Sequence, residues 1–330
     1  MPLPEDGEDA FVEALSAAVA EQGYEVVFAS SDEDMLALAS APRERIPARV
    51  PYPPRAVLER AMDKLELSEA ARRVGLAAPA AATSEADARE LVAAGPVVVK
   101  ERLHGATGRD GRPTHVNPLI SNNADEMARG LEEVVAAGAA PLVQPVVLGA
   151  LMAFTSIVDS EWRMLARVQQ VAERTWPQDL GLSVRAHTVA VDEQLATKAA
   201  ALLRELGWQG LSELQFLVPD GGEPHLIDFN GRFYGSMPLA IGAGVNLPDL
   251  WARSVTGRPV PEARDAEPGV RYQWLEGDLR AAREDSQGPV RDLIDCLRYA
   301  VGARHSISSF GDPVPLLRAV GRLATERRGS

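Results

Sequence analysis

Within residues 210–236, GLSELQFLVPDGGEPHLIDFNGRFYGS, polar side chains stand where a strand pair would ordinarily carry core residues. Leu214, Phe216 and Val218 alternate with Glu213, Gln215 and Leu217; Asp220, Gly221 and Gly222 supply a turn; Leu226, Asp228 and Asn230 return on a second strand. Side chains two apart on a strand share a face, so Asp228 and Asn230 are expected to project together, with Ile227 and Phe229 on the other side. Pairing across the turn lets Gln215 or Glu213 complete a cluster of oxygen donors. Such donors suit Mg²⁺, which takes one or two carboxylates together with the phosphates of a nucleotide. Arg232 follows directly, where it could clamp an anion. Most amphipathic hairpins are simply solvated on their polar face, so the weight of this reading comes from the rest of the chain.

Of the 34 basic residues, lysine occurs only at positions 64, 100 and 198. An ammonium meets phosphate as a compact point charge where a planar guanidinium does not fit, which makes each lysine informative. Lys198 lies in a helical run, Asp192 to Leu206, and reads as a surface residue, whereas Lys64 sits in DKL and Lys100 closes the strand VVVK. After Lys100 comes a glycine-rich segment, Glu101 to Pro113, containing His104, Gly105, Gly108 and Gly111. Such loops cradle phosphates through backbone N–H groups, but they are also ordinary flexible hairpins, and without GKS or GKT this is not a Walker loop. The five histidines have no metal-ligand spacing.

These groups need a frame, and 330 residues, 46% of them hydrophobic, are enough for two or three lobes around a sizeable core. A net charge of −13 argues against nucleic acid and anionic membranes as main partners. A lone Cys296 fits a reducing compartment and reads as a small buried hydrophobe. The opening MPLPEDGEDAF lacks a basic region of the secretory type, so a cytoplasmic location is expected. The uncharged run Val134 to Ile157 is long enough to span a bilayer, yet Gly138, Pro141, Pro145 and Gly149 break it into a helix end, a strand over Pro141 to Val147, a turn and a second strand.

Upstream, the pattern predicts a helix over Asp9 to Gln22, a buried strand over Tyr24 to Ala29, a helix from Ser31 to Ala41 and a proline-rich linker, Pro47 to Pro54. Helices over Arg55 to Lys64 and Ser68 to Val74 follow, then one over Glu85 to Ala94 capped by Ser84, the strand to Lys100, strand-like residues near Thr114 to Val116, and a helix over Asp125 to Ala137. Beyond 260, helices are expected over Val290 to Val301 and Pro315 to Arg327.

The order DKL, VVVK, glycine-rich loop, LVQPVVLG, LQF and IDFNGR resembles the ATP-grasp superfamily over roughly residues 55–259. The run GRFYGSMPLAIGAGVNLPDLWARSVTG is similar to its carboxylate-amine ligase branch, the predicted ATP-grasp carboligases. The resemblance implies an α/β (α+β) fold whose two lobes sandwich ATP, with a reduced N-terminal α/β domain (1–54), an ATP-grasp domain (55–260; small lobe about 85–148, large lobe about 149–260) and a C-terminal extension (261–330). It places Lys64 and Lys100 on phosphates, the loop with His104, Gly105 and Gly108 over the triphosphate, and Gln144, Pro145, Val146 and Val147 along adenine. Gln215, Asp228 and Asn230 become ligands of Mg²⁺, with Mn²⁺ an admissible substitute, and Arg232 orients an acyl phosphate. Gln215 stands where most relatives have Glu, Asp228 is shorter than the usual Glu, NGR replaces NPR, and Pro145 and Met152 offer the ribose no carboxylate.

The implied activity is an ATP-dependent ligase that activates a small-molecule carboxylate as an acyl phosphate and joins it to an amine or similar nucleophile, in a chain whose homodimerisation stays open. Its alternative is a catalytically impaired ATP-binding protein of the same fold. An oxidoreductase reading of the IGAG turn, Ile241 to Gly244, lacks the third glycine and the strand-to-helix context.

Overall fold

The structure, a computed structural model, describes residues 3, 4, 7–103, 116–178, 181–284, 288–307, 312, 314, 315 and 318. Helix α1 (Glu8–Gln22) ends where Gly23 turns left-handed at φ 69°, and α2 (Asp32–Ser40) starts under the Ser31 side chain, which accepts from the Asp34 N–H. Between them the expected strand over Tyr24 to Ala29 does not form. Val26 makes a single bridge to Arg49, Ala29 donates to the Tyr52 hydroxyl, and the Ala29 carbonyl accepts from Phe233. The neighbouring run, with Pro47, Pro51, Pro53 and Pro54, lacks the N–H groups a ladder would need.

Helices α3 (Arg55–Met62) and α4 (Lys64–Arg73) are separated by Asp63 alone, whose carboxylate caps α4 by accepting from Leu65 and Glu66. The second helix therefore begins at Lys64 and not at Ser68, because the Asp63 carboxylate takes up its first free N–H groups. Next come α5 (Glu85–Ala94), β1 (Val97–Glu101), β2 (Leu119–Ser121), α6 (Ala124–Ala136) and β3 (Pro141–Pro145). The three strands make an antiparallel sheet in the order β2-β1-β3, packed on both helices through Val92, Val97, Val99, Met127, Val134 and Val143. The strand expected near Thr114 falls partly outside the described residues; the described partner of β1 on that side is β2.

The larger unit contains β4 (Ala150–Val158), β5 (Met164–Trp176), β6 (Leu182–Val189), α7 (Glu193–Leu206), β7 (Gly210–Val218), β8 (His225–Asn230), α8 (Met237–Gly242), α9 (Leu247–Thr256), β9 (Arg264–Asp265), β10 (Arg271–Gln273), α10 (Leu275–Glu284), α11 (Pro289–Ala300) and β11 (Arg304–His305). Its sheet runs β11-β10-β6-β5-β4-β7-β8, with β9 beside β5, so residues beyond 260 lengthen it. The helix expected over Pro315 to Arg327 lies mostly outside the described residues.

One sheet face carries Phe154, Leu214, Phe216, Leu226 and Phe229 into a core shared with α7, Trp208, Trp251 and N-terminal Phe11, Met35 and Leu58. Removing such large side chains from water is the main stabilising term, at about 1.5–3 kcal/mol each. The run Val134 to Ile157 divides into the end of α6, β3 and β4, and no described helix is long and apolar enough to cross a membrane.

Candidate functional site

The polar face of β7 and β8 holds the hairpin residues. Cross-strand pairing sets Glu213 opposite Asn230 and Gln215 opposite Asp228. Just beyond, the register shifts, pairing Phe216 with Leu226 and leaving Ile227 as the extra residue. Strict alternation would have put Leu226 on the polar face with Asp228. The bulge returns it to the core, where it is 1% exposed, while Asp228 stays at the cleft. Gly231 then lets the chain leave the sheet: a Cβ there would sit 2.2 Å from the Trp208 ring, so proline or any other side chain is excluded after Asn230.

Glu213 is buried and gathers its neighbours. Its Oε2 accepts from Asn230 Nδ2 at 2.8 Å and from Gln215 Nε2 at 3.2 Å. Burial raises its pKa, against the pull of those two donors and of Arg232.

Lys64 and Lys100 reach this face from different elements, and a specific tie brings them together. Asp63 binds the Arg102 guanidinium at 2.8–2.9 Å, and the Lys64 N–H donates to the Arg102 carbonyl, so the first turn of α4 is fastened to the end of β1. The Lys64 ammonium is buried with no hydrogen-bond partner and lies 3.9 Å from Asp228 Oδ1. Lys100 has its pKa lowered to about 8, first by desolvation and then by the Lys64 charge, with Asp228 pulling the other way. Two ammoniums, the Asp228 and Glu213 carboxylates and two amides thus converge, and the buried Lys64 ammonium is left without the hydrogen bond that an anion would supply.

Arg232 is already engaged. Its Nε and Nη2 bind Asp32 Oδ1 and Oδ2 at 2.8 and 3.1 Å, and Nη1 donates to the Phe233 carbonyl. Asp32 lies 200 positions away in the sequence, in the first turn of α2. Burial opposes the Arg232 charge, and the Asp32 carboxylate more than offsets it, holding the pKa up.

The LVQPVV segment connects the two units. The Gln144 side chain is buried and turns to the Pro79 carbonyl at 3.5 Å, and the Val146 N–H donates to Pro96. Pro145, Val146 and Val147 are half-buried, with Leu148 exposed at the edge. Met152 faces the core and its Sδ accepts from Gln169. His104, Gly105 and Gly108 lie outside the described residues. Among the described residues no group of three His, Cys, Asp or Glu side chains could hold a metal, so any ion here depends on amide oxygens beside Asp228. Asp228, Gln215 and Asn230 fit a hard cation of the Mg²⁺ kind, because all three are oxygen ligands on one face and the amides present their nitrogens to Glu213.

Sequence reasoning weighed Glu213 only as a substitute for Gln215 and missed Asp32. It also missed Tyr234, Thr155 and Gln170. The Tyr234 hydroxyl, the Thr155 Oγ1 and the Gln170 Oε1 are buried without hydrogen-bond partners, and the Gln170 amide donates to Ser236. Parity on the strands could have flagged Thr155, which pairs with Glu213.

Comparison with known proteins agrees with this architecture. Residues 167–278 match a family model described as ATP-grasp in the biosynthetic pathway with Ter operon, about a third of the chain. The biotin carboxylase domain dimer of Hydrogenobacter thermophilus 2-oxoglutarate carboxylase, in complex with MgADP, ADP and bicarbonate, is similar at TM-score 0.63 and 16% identity, over 79% of this chain and 60% of that one. The L-amino acid ligase of Bacillus licheniformis gives 0.57 and 15%, over 77% of this chain and 62% of that one. The N5-carboxyaminoimidazole synthetase of Staphylococcus aureus, complexed with ADP, gives 0.53 and 14%, over 76% of each. The chain spans about 60% of the length of the first two. None of the curated proteins compared with it matches. With a three-stranded and a larger sheet joined through the LVQPVV segment, the sequence elements in order and these structural likenesses, the chain has the ATP-grasp fold.

Proposed function

We propose that this protein is an ATP-dependent ligase that activates a small-molecule carboxylate as an acyl phosphate and passes the acyl group to an amine. The observation that carries the reading is the Lys64 ammonium, buried, without a hydrogen bond and 3.9 Å from Asp228, next to a Lys100 whose proton is loosely held. A buried ammonium without a hydrogen bond is costly unless an acceptor arrives, and a triphosphate supplies acceptors and charge together. Solved structures of the same fold hold ADP, one of them with magnesium.

In this reading Lys64 and Lys100 neutralise the phosphates, residues Gln144 to Leu148 line adenine, and Asp228 with the Gln215 and Asn230 amide oxygens holds Mg²⁺. The ion neutralises charge spread over the transferring phosphoryl group. A substrate carboxylate oxygen attacks the γ-phosphorus and ADP leaves; an amine then attacks the acyl carbon and phosphate leaves. Arg232 faces the developing charge once it exchanges part of its contact with Asp32 for the acyl phosphate. A cytoplasmic monomer or homodimer is compatible with this scheme.

A panel of carboxylates with hydroxylamine tests it, because an acyl phosphate is trapped as a hydroxamate while ADP is counted, without knowledge of the natural amine. Stoichiometric hydroxamate and ADP with one class of acid is the expected result. ATP-dependent thermal stabilisation without ADP or hydroxamate for any acid would instead identify a binding protein that has lost catalysis.

A further inference from the structure

Glu213 touches the amides of both Gln215 and Asn230. Gln215 precedes it to the cleft by two residues on β7, and Asn230 lies directly opposite on β8. Both NH₂ groups converge on one oxygen, Glu213 Oε2, at 3.2 and 2.8 Å. An amide that gives its nitrogen to a carboxylate must turn its oxygen elsewhere, since the two atoms diverge from one carbon. A free Asn or Gln has no such preference, and either flip is nearly equal in shape. Here one acceptor settles both flips at once.

The carboxylate is itself closed off. Glu213 is 3% exposed, its strand neighbour Thr155 is fully buried, and the buried Tyr234 hydroxyl lies within range of its charge. It therefore acts through the amides and has no open path to a ligand in the cleft.

We infer that Glu213 is a positioning residue for the metal: by accepting from Gln215 Nε2 and Asn230 Nδ2 it fixes both amide oxygens toward the ion, and it returns to the site the negative charge that a neutral Gln215 omits. The inference rests on the metal-site reading above. Partners that orient metal ligands in this manner are worth about 10–100-fold in metal affinity.

The test titrates Mn²⁺ into the intact chain with a non-hydrolysable ATP analogue and follows free and bound ion by electron paramagnetic resonance, for wild type, Glu213→Gln, Asp228→Ala and the exchange variant Glu213→Gln with Gln215→Glu. Glu213→Gln keeps the shape and one oxygen for the two amides but removes the charge that the carboxylate brings. It is expected to weaken Mn²⁺ by about tenfold or more and to leave metal-free nucleotide affinity within about threefold, since the lysines that carry it are untouched. The exchange variant, with a carboxylate restored to the face, is expected to recover most of the loss. Wild-type Mn²⁺ affinity in Glu213→Gln overturns the inference. So does loss of cooperative unfolding in that variant, which would assign Glu213 to the fold, and so does an exchange variant no better than the single one. If Asp228→Ala binds Mn²⁺ as wild type does, the metal-site reading itself fails, and that result is distinct from failure at Glu213.

Discussion

Two clusters of buried charge sit on the same eight-stranded sheet, and they differ in how completely they are paired. At the β6 and β10 end, Asp278 is fully buried and accepts from Arg174, Arg185 and Gln273 at 2.6–2.8 Å. Arg185 also binds Asp295 at 2.6 Å and lies over the Tyr299 ring. Burial works against the Arg185 charge, and the two carboxylates more than offset it. At the β7 and β8 end, the Lys64 ammonium finds no hydrogen bond, burial lowers the Lys100 pKa to about 8, and burial raises that of Glu213 against its amide donors. The first cluster ties α10 and α11 to the sheet with its charged groups paired, although the neutral Gln273 Oε1 lacks a hydrogen bond. The second leaves a buried ammonium without a hydrogen bond, the difference expected if the proposed site takes an anion there.

The largest expected effect breaks the second cluster. Asp228→Ala and Asn230→Ala should each lower Mg²⁺-dependent ADP formation by about 10³-fold, a magnitude typical of losing one group that meets transition-state charge. Each change also takes a partner from a buried charge, Asp228 from Lys64 and Asn230 from Glu213, so some loss of stability is expected and turnover is compared per folded molecule. Undiminished turnover in both would remove the distinction between the clusters.

Breaking the first cluster should do the reverse. Asp278→Asn leaves two guanidiniums without their shared carboxylate and should cost about 3–5 kcal/mol of stability by urea unfolding. Nucleotide affinity per folded molecule should stay at the wild-type value.

Arg232→Ala tests the case between them. Its ion pair with Asp32 is only partly buried, so a loss of about 1–2 kcal/mol is expected. Hydroxamate formation should fall far more than ATP affinity, the mark of a contact made mainly in the transition state. A large melting shift with normal turnover per folded molecule would make Arg232 a purely structural partner of Asp32.

The smallest effect is a pH dependence. Lys100 is held at about 8 in the folded chain against an ordinary 10.5, so between those values the unfolded chain binds more protons and ligand-free stability rises with pH. Lys100→Met should accordingly be more stable than wild type at pH 7 and lose that advantage as pH climbs from about 8 toward 10.5. Its metal-free nucleotide affinity should drop by about tenfold, comparable to one charge-assisted contact. Equal stability of the two proteins at every pH would show that the buried ammonium carries no cost.

The sequence made local features legible where one residue decides them. Ser31, Ser84, Asn123 and Asp192 cap helices as their types predict, and the hairpin around Gly221 forms. Asp63 carried a capping signal that was read as helix interior. The bulge at Ile227 was not legible, because alternation alone gives Leu226 and Asp228 the same face, and only packing of Leu226 against the core selects otherwise. The strand expected over Tyr24 to Ala29 was wrong for a related reason: apolar alternation shows burial, not whether a partner with free N–H groups lies alongside. The Arg232 to Asp32 pair crosses 200 residues and leaves no local trace. The polar residues of the hairpin were legible by parity, whereas the role of Glu213 depended on which atoms of two amides it meets.

Calorimetric titration of Mg²⁺ with ADP into wild type, Asp228→Ala and Asp278→Asn tests the central claim most directly. The account predicts metal-dependent nucleotide binding in wild type, its retention in folded Asp278→Asn and its loss in Asp228→Ala. Absence of nucleotide binding in wild type, or binding in Asp228→Ala with unchanged metal dependence, would contradict it.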